Sequence, residues 1–331
     1  MKSFLRWTAV AALALAAGAA TAQQKHPFAS TPLAIEARDI PAFSRKDSGQ
    51  RRFGELEFIG GVVLSSKEKH FGGISGLHIL PDGRRFIAHS DRGNWFRGIF
   101  VFDGDRITGI QNAEMTPMRG PRGKLSAMRW FDTEALAADG ETLYVGIERE
   151  NKILRYDRFG AIGVPVPVPV EISDLPNNQG LEALAFVPRN MPLGGSLIAI
   201  AERALEPDGN IRAFILSGGK WSNFTIKRIG EFDVSDAAIS PSGHLVLVER
   251  YFRFYSGVHL RIRAIPLSDI KPDTLADGKI LLEADNGFEI DNMEALSITT
   301  NAAGRIVLTL LSDNNFNFLQ RTILLRFYWP Q

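Results

Sequence analysis

Apolar runs along this chain come in pairs, and a short polar turn separates the two members of each pair. In the best-defined pair, the run 134–138 leads to Asp139-Gly140, and a second run ends in Glu148-Arg149. Two apolar runs joined by Asp-Gly predict a β-hairpin. The first strand of an antiparallel hairpin begins where the second one ends. Glu134 is therefore expected beside Glu148 and Arg149, at the end opposite the turn.

The same unit occurs five times, at a spacing of about 50 to 60 residues, which is typical of β-propeller blades with four strands. Each second run ends in an acidic residue, and in four copies an arginine follows it directly. The first runs are 73–77, 134–138, 180–184, 235–239 and 292–296, and the second runs are 86–92, 142–149, 197–203, 245–250 and 306–313. The repeat therefore predicts a propeller.

Further strands fill the gaps between the hairpins. Residues 163–170 alternate Val and Pro, which suits an outermost strand because proline cannot donate a hydrogen bond to a sheet. An early strand at 53–64 and a terminal strand at 321–329 could pair within one blade and close the ring. The prediction is an all-β, single β-propeller of five blades with four antiparallel strands each, closed by the N- and C-terminal strands. A sixth, degenerate blade within 93–131 is the alternative.

The first 22 residues are predicted to be a signal peptide. Lys2 and Arg6 precede an apolar stretch, and Ala20-Thr21-Ala22 fits a cleavage site near Ala22. The stretch is short for a membrane span, so stable membrane insertion is not expected. We expect an exported protein, periplasmic or secreted. Residues 23–52 are polar and are predicted to be an irregular N-terminal arm, either disordered or laid over the surface, and 53–331 form the propeller domain.

Composition narrows the possible chemistry. The chain has 331 residues and no cysteine, so it has neither disulfides nor thiolate metal ligands. Its formal net charge is +1, without the basic excess that is usual for nucleic-acid binding. The expected partner is a small anionic or ester substrate, and a monomer is favoured. There is no Gly-x-Ser-x-Gly motif that would indicate a serine hydrolase of the α/β type.

Acidic residues recur at the start of the inner strands. The repeat places Glu134, Glu182, Asp236 and Glu294 at equivalent ends, with Ser75 in the fifth blade. Converging carboxylates repel one another unless a cation or arginines compensate them. Carboxylate oxygens without Cys or clustered His favour Ca²⁺, with Mg²⁺ as the alternative. The four acids are therefore predicted metal ligands.

The arginines that follow the second runs provide the other source of positive charge. They are Arg92, Arg149, Arg203 and Arg250. Guanidinium groups match phosphate oxygens, so Arg92, Arg203 and Arg250 are predicted to bind substrate, and Arg149 is grouped with Glu134, Glu182 and Glu294 as catalytic. The alternative is structural: acid–arginine pairs at the strand ends, including Asp91, Glu148, Glu202, Glu249 and Asp313, would hold each blade to its neighbour.

The order of these motifs resembles the phytase-like domain family, whose members are labelled "esterase-like activity of phytase". The motifs that carry the resemblance are 72–77, 90–93, 132–136, 180–184 and 292–296, and it extends from Phe53 to Trp329. The resemblance implies a β-propeller exported by bacteria, and it implies phosphoester or ester hydrolysis. It also suggests Ca²⁺ in a carboxylate cluster at the channel mouth, as in β-propeller phytases.

Three functions remain open from the sequence. The first is a metal-dependent phosphoesterase or esterase that acts at the mouth of the channel. The second is a metal-dependent hydrolase of the lactonase type, which would act on neutral esters. The third is a non-catalytic propeller that binds a ligand or a protein, because a fold does not determine a function. Metal occupancy separates the first two from the third, and substrate charge separates the first from the second.

Overall fold

The paired apolar runs become the two innermost strands of five antiparallel sheets, which are arranged as blades around a channel. The computed structural model describes residues 29–130 and 132–330. The predicted signal peptide lies outside these residues. The five-bladed, all-β propeller is confirmed, and each blade is numbered below by the order of its inner strand along the chain.

Blades 1 to 3 follow one another along the chain. From the channel outward, blade 1 contains Ile74–Ile79, Arg85–Ser90, Asn94–Asp103, Arg106–Pro117 and Thr31–Leu33. Blade 2 contains Thr133–Asp139, Thr142–Ile147, Lys152–Tyr156 and Val164–Val166. Blade 3 contains Leu181–Phe186, Leu197–Leu205, Ile211–Ser217, Lys220–Ile226 and, in parallel, Leu275–Ala276. The Val-Pro stretch is the outermost strand of blade 2, as predicted.

Blades 4 and 5 complete the ring. Blade 4 contains Asp233–Ser240, His244–Arg253, Gly257–Pro266 and Lys279–Ala284. Blade 5 contains Asn292–Thr300, Ile306–Asp313, Thr322–Trp329, Leu56–Ser65 and Glu36–Ile40. The terminal strand pairs with Leu56–Ser65, so the predicted closure by N- and C-terminal strands is confirmed. This closure leaves the last blade without an open seam between its two chain ends.

The short elements lie between the blades or at their edges. They are Arg52–Phe53, which pairs with Leu56–Ser65; a hairpin of Arg119–Gly120 and Gly123–Lys124; 3₁₀ turns at Ser126–Met128 and Leu267–Asp269; and a one-turn α-helix at Val170–Ser173. The sixth blade considered for 93–131 does not form, because 94–117 are the third and fourth strands of blade 1. No helix among the residues described is long and apolar enough to span a membrane.

The N-terminal arm differs from its predicted irregular form. Thr31–Leu33 adds a strand to blade 1, and Glu36–Ile40 adds one to blade 5. Phe43, farther along the arm, is fully buried against Phe53, Phe58 and Phe327. The polar composition of the segment gave no indication of these strands, because outer strands expose most of their side chains to water.

The hydrophobic core lies between neighbouring blades, and alternation along each strand decides which neighbour a side chain meets. In the second strand of blade 4, Val246 and Val248 pack in a cluster with blade 5 side chains such as Leu308. Leu245 and Leu247 pack in a different cluster with blade 3 side chains such as Ile198. Even-numbered residues of this strand therefore face blade 5, and odd-numbered ones face blade 3.

Candidate active site at the channel mouth

Each inner strand carries a β-bulge near the end where it begins. In blade 2, Thr133 pairs with Ile147 and Ala135 with Gly146, so Glu134 between them has no partner across the ladder. The same shift occurs in the other four blades. A bulge leaves one residue out of the ladder and redirects its side chain. The five bulge residues are Ser75, Glu134, Glu182, Ser235 and Glu294.

This register corrects the sequence alignment in blade 4. The bulge residue there is Ser235, whereas Asp236 pairs with Val248 and lies one position farther along. The Asp236 carboxylate accepts hydrogen bonds from the backbone N–H of Ala237 at 2.8 Å and of Leu296 in blade 5 at 2.6 Å. Ser235 donates to the Met293 carbonyl at 2.9 Å. The alignment of Asp236 with the glutamates was wrong, and its contacts are those of a link between blades.

A second set of side chains lies opposite the residue two positions before each bulge. Three of its members are Asp91, Glu148 and Glu202, whose backbone N–H groups donate to the carbonyl oxygens of Gly73, Asp132 and Gly180, respectively. The fourth is Asp313, which pairs with Asn292 across the ladder. In blade 4 the residue at this position is Arg250, which pairs with Asp233. We call the bulge residues and this second set together the mouth ring. The ring therefore contains seven carboxyl groups and one arginine.

Glu249, which the sequence aligned with the other acids of the second strands, faces away from the ring. It is fully buried on the blade 3 side of its strand, and Arg263, also fully buried, donates two hydrogen bonds to it. The structural alternative therefore describes Glu249 well. The one-residue offset brings Arg250 into the ring in its place.

Arg250 is the positive centre of the mouth ring. Its Nη2 lies 3.0 Å from Glu294 Oε1, 3.7 Å from Glu182 Oε1 and 3.9 Å from Glu202 Oε1. One guanidinium group thus bridges carboxyl groups from blades 3 and 5. Burial alone would lower the pKa of Arg250, but the charges of Glu294, Glu182 and Glu202 outweigh burial and raise it. Arg250 therefore stays positively charged.

Glu294 is the most firmly held carboxylate. It accepts a hydrogen bond from Asn292 Nδ2 at 2.6 Å, pairs with Arg250, and shares a hydrogen bond with the carboxyl group of Asp313. Burial and then the charge of Glu294 raise the pKa of Asp313 to about 8. Burial also raises the pKa of Glu294, and the charge of Arg250 and the hydrogen bonds from Asn292 and Asp313 oppose this rise. At neutral pH the pair therefore holds a proton on Asp313.

The pKa values of Glu134 and Glu182 are both raised. Burial, followed by the charges of Glu182 and Glu294, raises the pKa of Glu134 well above its usual range. Burial, followed by the charge of Glu202, raises the pKa of Glu182 in the same way. Glu134 forms no hydrogen bond or ion pair with any residue that the structure describes. Its carboxyl group is therefore available to a ligand.

Two further acids of the ring titrate near neutrality. Burial raises the pKa of Asp91 to about 6, and burial together with the charge of Glu202 raises that of Glu148 to about 7. Within the described part of the chain, Asp91 Oδ1 is buried without a hydrogen-bond partner. The mouth ring thus contains both proton donors and proton acceptors at neutral pH, which is the condition for general acid–base catalysis.

The other three predicted arginines lie outside the ring. Arg149 Nε donates to Asp132 Oδ2 at 2.5 Å, and Arg203 Nε donates to Asp233 Oδ2 in blade 4 at 2.7 Å. The guanidinium carbon of Arg92 lies 3.3 Å from the centre of the Phe316 ring. Arg250, in contrast, pairs with three glutamates of the ring. Arg203 links two blades, as the structural alternative proposed.

The predicted calcium ligands do not surround a common point. Carboxylate oxygens suit Ca²⁺ chemically, but the described residues contain no group of three or more His, Asp or Glu side chains arranged to hold a metal ion. Arg250 occupies the space between Glu182, Glu202 and Glu294, and Asp236 is bonded to backbone N–H groups. In this arrangement the four acids do not fit a shared ion, and calcium binding stays a prediction.

Comparison with known proteins gives the family. Residues 69–316 match the sequence profile of the family described as "Phytase-like: Esterase-like activity of phytase". The chain belongs to this family. The family description refers to esterase-like activity and names no residue or metal. No curated protein sequence matches this phytase-like chain.

Several solved structures are similar to this chain at low identity. "Structure of U3-55K" has 11% identity and a TM-score of 0.39, covering 79% of this chain and 96% of that one. "Crystal structure of Nidogen/Laminin Complex" has 11% identity and a TM-score of 0.43, covering 86% and 88%. "YCF48 bound to D1 peptide" has 12% identity and a TM-score of 0.37, covering 84% and 67%. We draw nothing about function from these similarities.

Proposed function

We propose that this phytase-like protein is an ester hydrolase whose reaction takes place at the mouth ring. One observation carries the proposal: a charged arginine lies among carboxyl groups that differ in protonation at neutral pH, at the open end of the channel. An arginine can bind the oxygen on which negative charge develops, and carboxyl groups of different pKa can supply and accept protons. The family description supports the same class of reaction.

The roles follow from the protonation states. Asp91, or Glu148, accepts a proton from water as the water oxygen attacks the ester carbon. Arg250 donates hydrogen bonds to the carbonyl oxygen, which becomes negative in the tetrahedral intermediate. Glu134 or Glu182 then donates its proton to the departing alcohol oxygen as the C–O bond breaks. The acyl product keeps the OH of the water, and the alcohol receives a proton. The proton held by Asp91 or Glu148 then returns to Glu134 or Glu182 and restores the ring.

The remaining predicted catalytic residues hold these groups in place. Glu294 Oε1 lies 3.0 Å from Arg250 Nη2, so it positions the guanidinium group and favours its charged form. Arg149 pairs with Asp132, whose negative charge raises the pKa of Glu134. The charge of Arg149 also lowers the pKa of Glu148 in the ring, and we assign Arg149 a positioning role.

The charge of the ring favours neutral substrates. The ring has seven carboxyl groups and a single arginine, and the carboxyl groups that are ionised would repel a phosphate monoester, which carries up to two negative charges. A neutral carboxylic ester or lactone has no such penalty. The second candidate is a calcium-dependent phosphoesterase, which the phytase connection of the family favours. A divalent cation would neutralise the carboxylates and supply charge for the phosphate, and Arg92, Arg149 and Arg203 lie just outside the ring.

A substrate panel distinguishes these candidates. The purified protein is assayed with 4-nitrophenyl acetate, a lactone and 4-nitrophenyl phosphate, each with a chelator and with added Ca²⁺. We expect hydrolysis of the neutral esters in chelator and a loss of about 100-fold or more in kcat/KM for Glu134→Gln combined with Glu182→Gln. The control is Asp82→Asn, on the turn at the opposite end of blade 1.

Each outcome favours one candidate. Hydrolysis of the phosphate alone, and only with Ca²⁺, would replace the neutral-ester proposal by the second candidate. No hydrolysis of any substrate by the folded protein would leave the non-catalytic, ligand-binding propeller. A Ca²⁺-dependent rise in melting temperature that Glu134→Gln removes would support the predicted calcium ligand whichever ester is hydrolysed.

We further propose that the protein is exported as a monomer. The support for export is the arrangement of residues 1–22, with a basic start, an apolar stretch and Ala20-Thr21-Ala22. The mass of the protein recovered from the extracytoplasmic fraction would show cleavage near Ala22. Recovery of the uncleaved chain from the cytoplasm alone would contradict this, and sedimentation would establish the oligomeric state.

A further inference from the structure

The largely exposed aromatic side chains of the described residues lie on one hairpin and one loop. Among the described residues, the Phe, Tyr and Trp side chains that are largely exposed are Phe252 at 67%, Phe254 at 84%, Tyr255 at 97% and Phe318 at 93%. Leu319, next to Phe318, is 75% exposed. Single exposed apolar residues are ordinary on protein surfaces, but a concentration of large ones usually marks a binding surface. These five residues form what we call the aromatic rim.

Both loops stand at the mouth of the channel. The second strand of blade 4 continues three residues beyond Arg250 to Arg253, and the chain returns at Gly257. The tip of this hairpin, with Phe254 and Tyr255, therefore lies beyond the mouth ring. On blade 5, the loop 314–320 begins directly after Asp313, which is itself a member of the ring. The aromatic rim thus lies above the ring, on two neighbouring blades.

The faces of the blade 4 hairpin differ in how they are covered. Tyr251 stacks on His259 at 4.2 Å between ring centres and contacts the edge of Phe232 at 4.6 Å. Arg253 donates to Glu231 at 2.8 and 2.5 Å. These contacts hold the base of the hairpin. Phe252 lies on the same strand face as Arg250, the face toward blade 5, and it remains uncovered.

The blade 5 loop shows the same contrast. Phe316 is covered by the guanidinium group of Arg92, and the backbone N–H of Phe316 donates to Asn314 at 3.2 Å. Phe318 and Leu319, two positions farther along, are exposed. Each loop therefore has an anchored part and a free apolar part next to the ring. Continuity with Arg250 and Asp313 points to a ligand that occupies the ring and the rim together.

We propose that the aromatic rim binds the apolar part of an ester substrate whose ester group lies at Arg250. This rests on the proposed hydrolase function and specifies its substrate class: neutral esters with a long acyl chain or an aromatic group. Burying such a group against exposed phenyl rings removes apolar surface from water on both sides, and this selects long apolar esters over short ones.

The test compares esters that differ only in chain length. We measure kcat/KM for 4-nitrophenyl decanoate and 4-nitrophenyl acetate with the wild type and with the triple variant Phe252→Ser, Phe254→Ser, Tyr255→Ser. The control variant is Val164→Ser with Leu275→Ser, exposed apolar residues on the outer strands of blades 2 and 3. We expect the decanoate-to-acetate ratio to fall about tenfold or more in the triple variant and to be unchanged in the control.

A binding measurement separates this inference from the proposed function. Calorimetric titration with 4-nitrophenyl decyl ether, which cannot be hydrolysed, measures occupation of the rim without turnover. If the ether binds to the wild type but not to the triple variant, and no ester is hydrolysed, the rim binds an apolar ligand and the hydrolase proposal is wrong. An unchanged ratio together with unchanged ether binding would overturn the rim proposal while ester hydrolysis stands. A third outcome is that the triple variant loses binding to neutral vesicles but keeps the ester selectivity and the ether binding of the wild type. The rim would then bind a lipid surface, and the rim proposal would be overturned.

Discussion

Blade 4 has the same backbone register as the other four blades at the channel mouth, but its acidic residues are shifted by one residue along the two inner strands. In blades 1, 2, 3 and 5 the second strand contributes an acid to the ring, whereas blade 4 contributes Arg250. Its inner strand likewise contributes Ser235 where three blades have glutamate. The acids that the sequence suggests for blade 4, Asp236 and Glu249, are both present, but each is occupied elsewhere.

The difference shows how a small shift sets the electrostatics of the site. Successive side chains of a strand point to opposite faces, so a shift of one residue exchanges the groups on each face. In blade 4 the shift moves Glu249 to the blade 3 face, where Arg263 neutralises it, and brings Arg250 to the ring. Without the shift, the ring would hold five acids from the second strands and no cation.

The largest expected effect comes from removing the arginine that distinguishes blade 4. Arg250→Met leaves Glu294, Glu182 and Glu202 without their cation, and loss of one partner from a buried ion pair typically destabilises a protein by about 3–5 kcal/mol. We expect a free energy of unfolding lowered by this order and loss of ester hydrolysis. Urea denaturation and the ester assay measure both.

A matched control lies on the same strand. Arg253→Met removes an exposed ion pair with Glu231, and we expect little change in stability or activity because exposed pairs are screened by water. If Arg250→Met behaved like Arg253→Met in both assays, the contrast between blade 4 and the other blades would have no functional meaning.

A smaller effect is expected from Asp236, the acid that blade 4 uses to bind blade 5. Asp236→Ala leaves the backbone N–H groups of Ala237 and Leu296 without their acceptor, which should cost about 1–3 kcal/mol of stability. Because Asp236 lies outside the ring, residual activity per folded molecule should equal that of the wild type. If Ca²⁺ raised the melting temperature of the wild type but not that of Asp236→Ala, Asp236 would instead be supported as a metal ligand.

The last comparison concerns the acids of the other four blades and the slope of stability against pH. The pKa of Asp313 is raised to about 8, so its folded form retains a proton that the unfolded chain releases near pH 4. Stability from this group is therefore complete at low pH and is lost as the pH rises toward about 8, by at most about 1.4 kcal/mol per pH unit. Asp91 and Glu148, with raised pKa values, act in the same direction.

Asp313→Asn tests this pH dependence. We expect the free energy of unfolding of the wild type to decrease between about pH 4 and about pH 8, and that of the variant to decrease less steeply. Denaturant titrations across this range provide the slope. Equal slopes for wild type and variant would show that Asp313 is not protonated in the folded protein at neutral pH.

The fold could be predicted from the sequence because its information is local and repeated. Five pairs of apolar runs, with Gly-containing turns between them, determine five hairpins and an all-β propeller. The strands of the N-terminal arm could not be predicted in this way. Thr31–Leu33 and Glu36–Ile40 pair with strands far along the chain and have no apolar pattern of their own. The position of such an outer strand is determined by the sheet edge that it joins.

The glutamates of the site were also accessible from the sequence, since Glu134, Glu182 and Glu294 follow the same repeat. The bulge residue of blade 4 also follows a pattern shared by the five blades. A buried residue precedes every bulge, and in blade 4 the residue before Ser235 is the buried Val234. Asn292 and the proton-sharing Asp313 had no comparable pattern, because their role depends on contact with Glu294.

The sequence by itself determined the all-β propeller, its five blades and the end of the channel at which the acids lie. Only the tertiary structure decided which acids face one another and that Arg250 stands among them. The physical reason is that a β-bulge adds one unpaired residue to a strand, and pairing with the neighbouring strand alone determines where it occurs. The charge of the mouth ring is a property of register, which composition and spacing leave open.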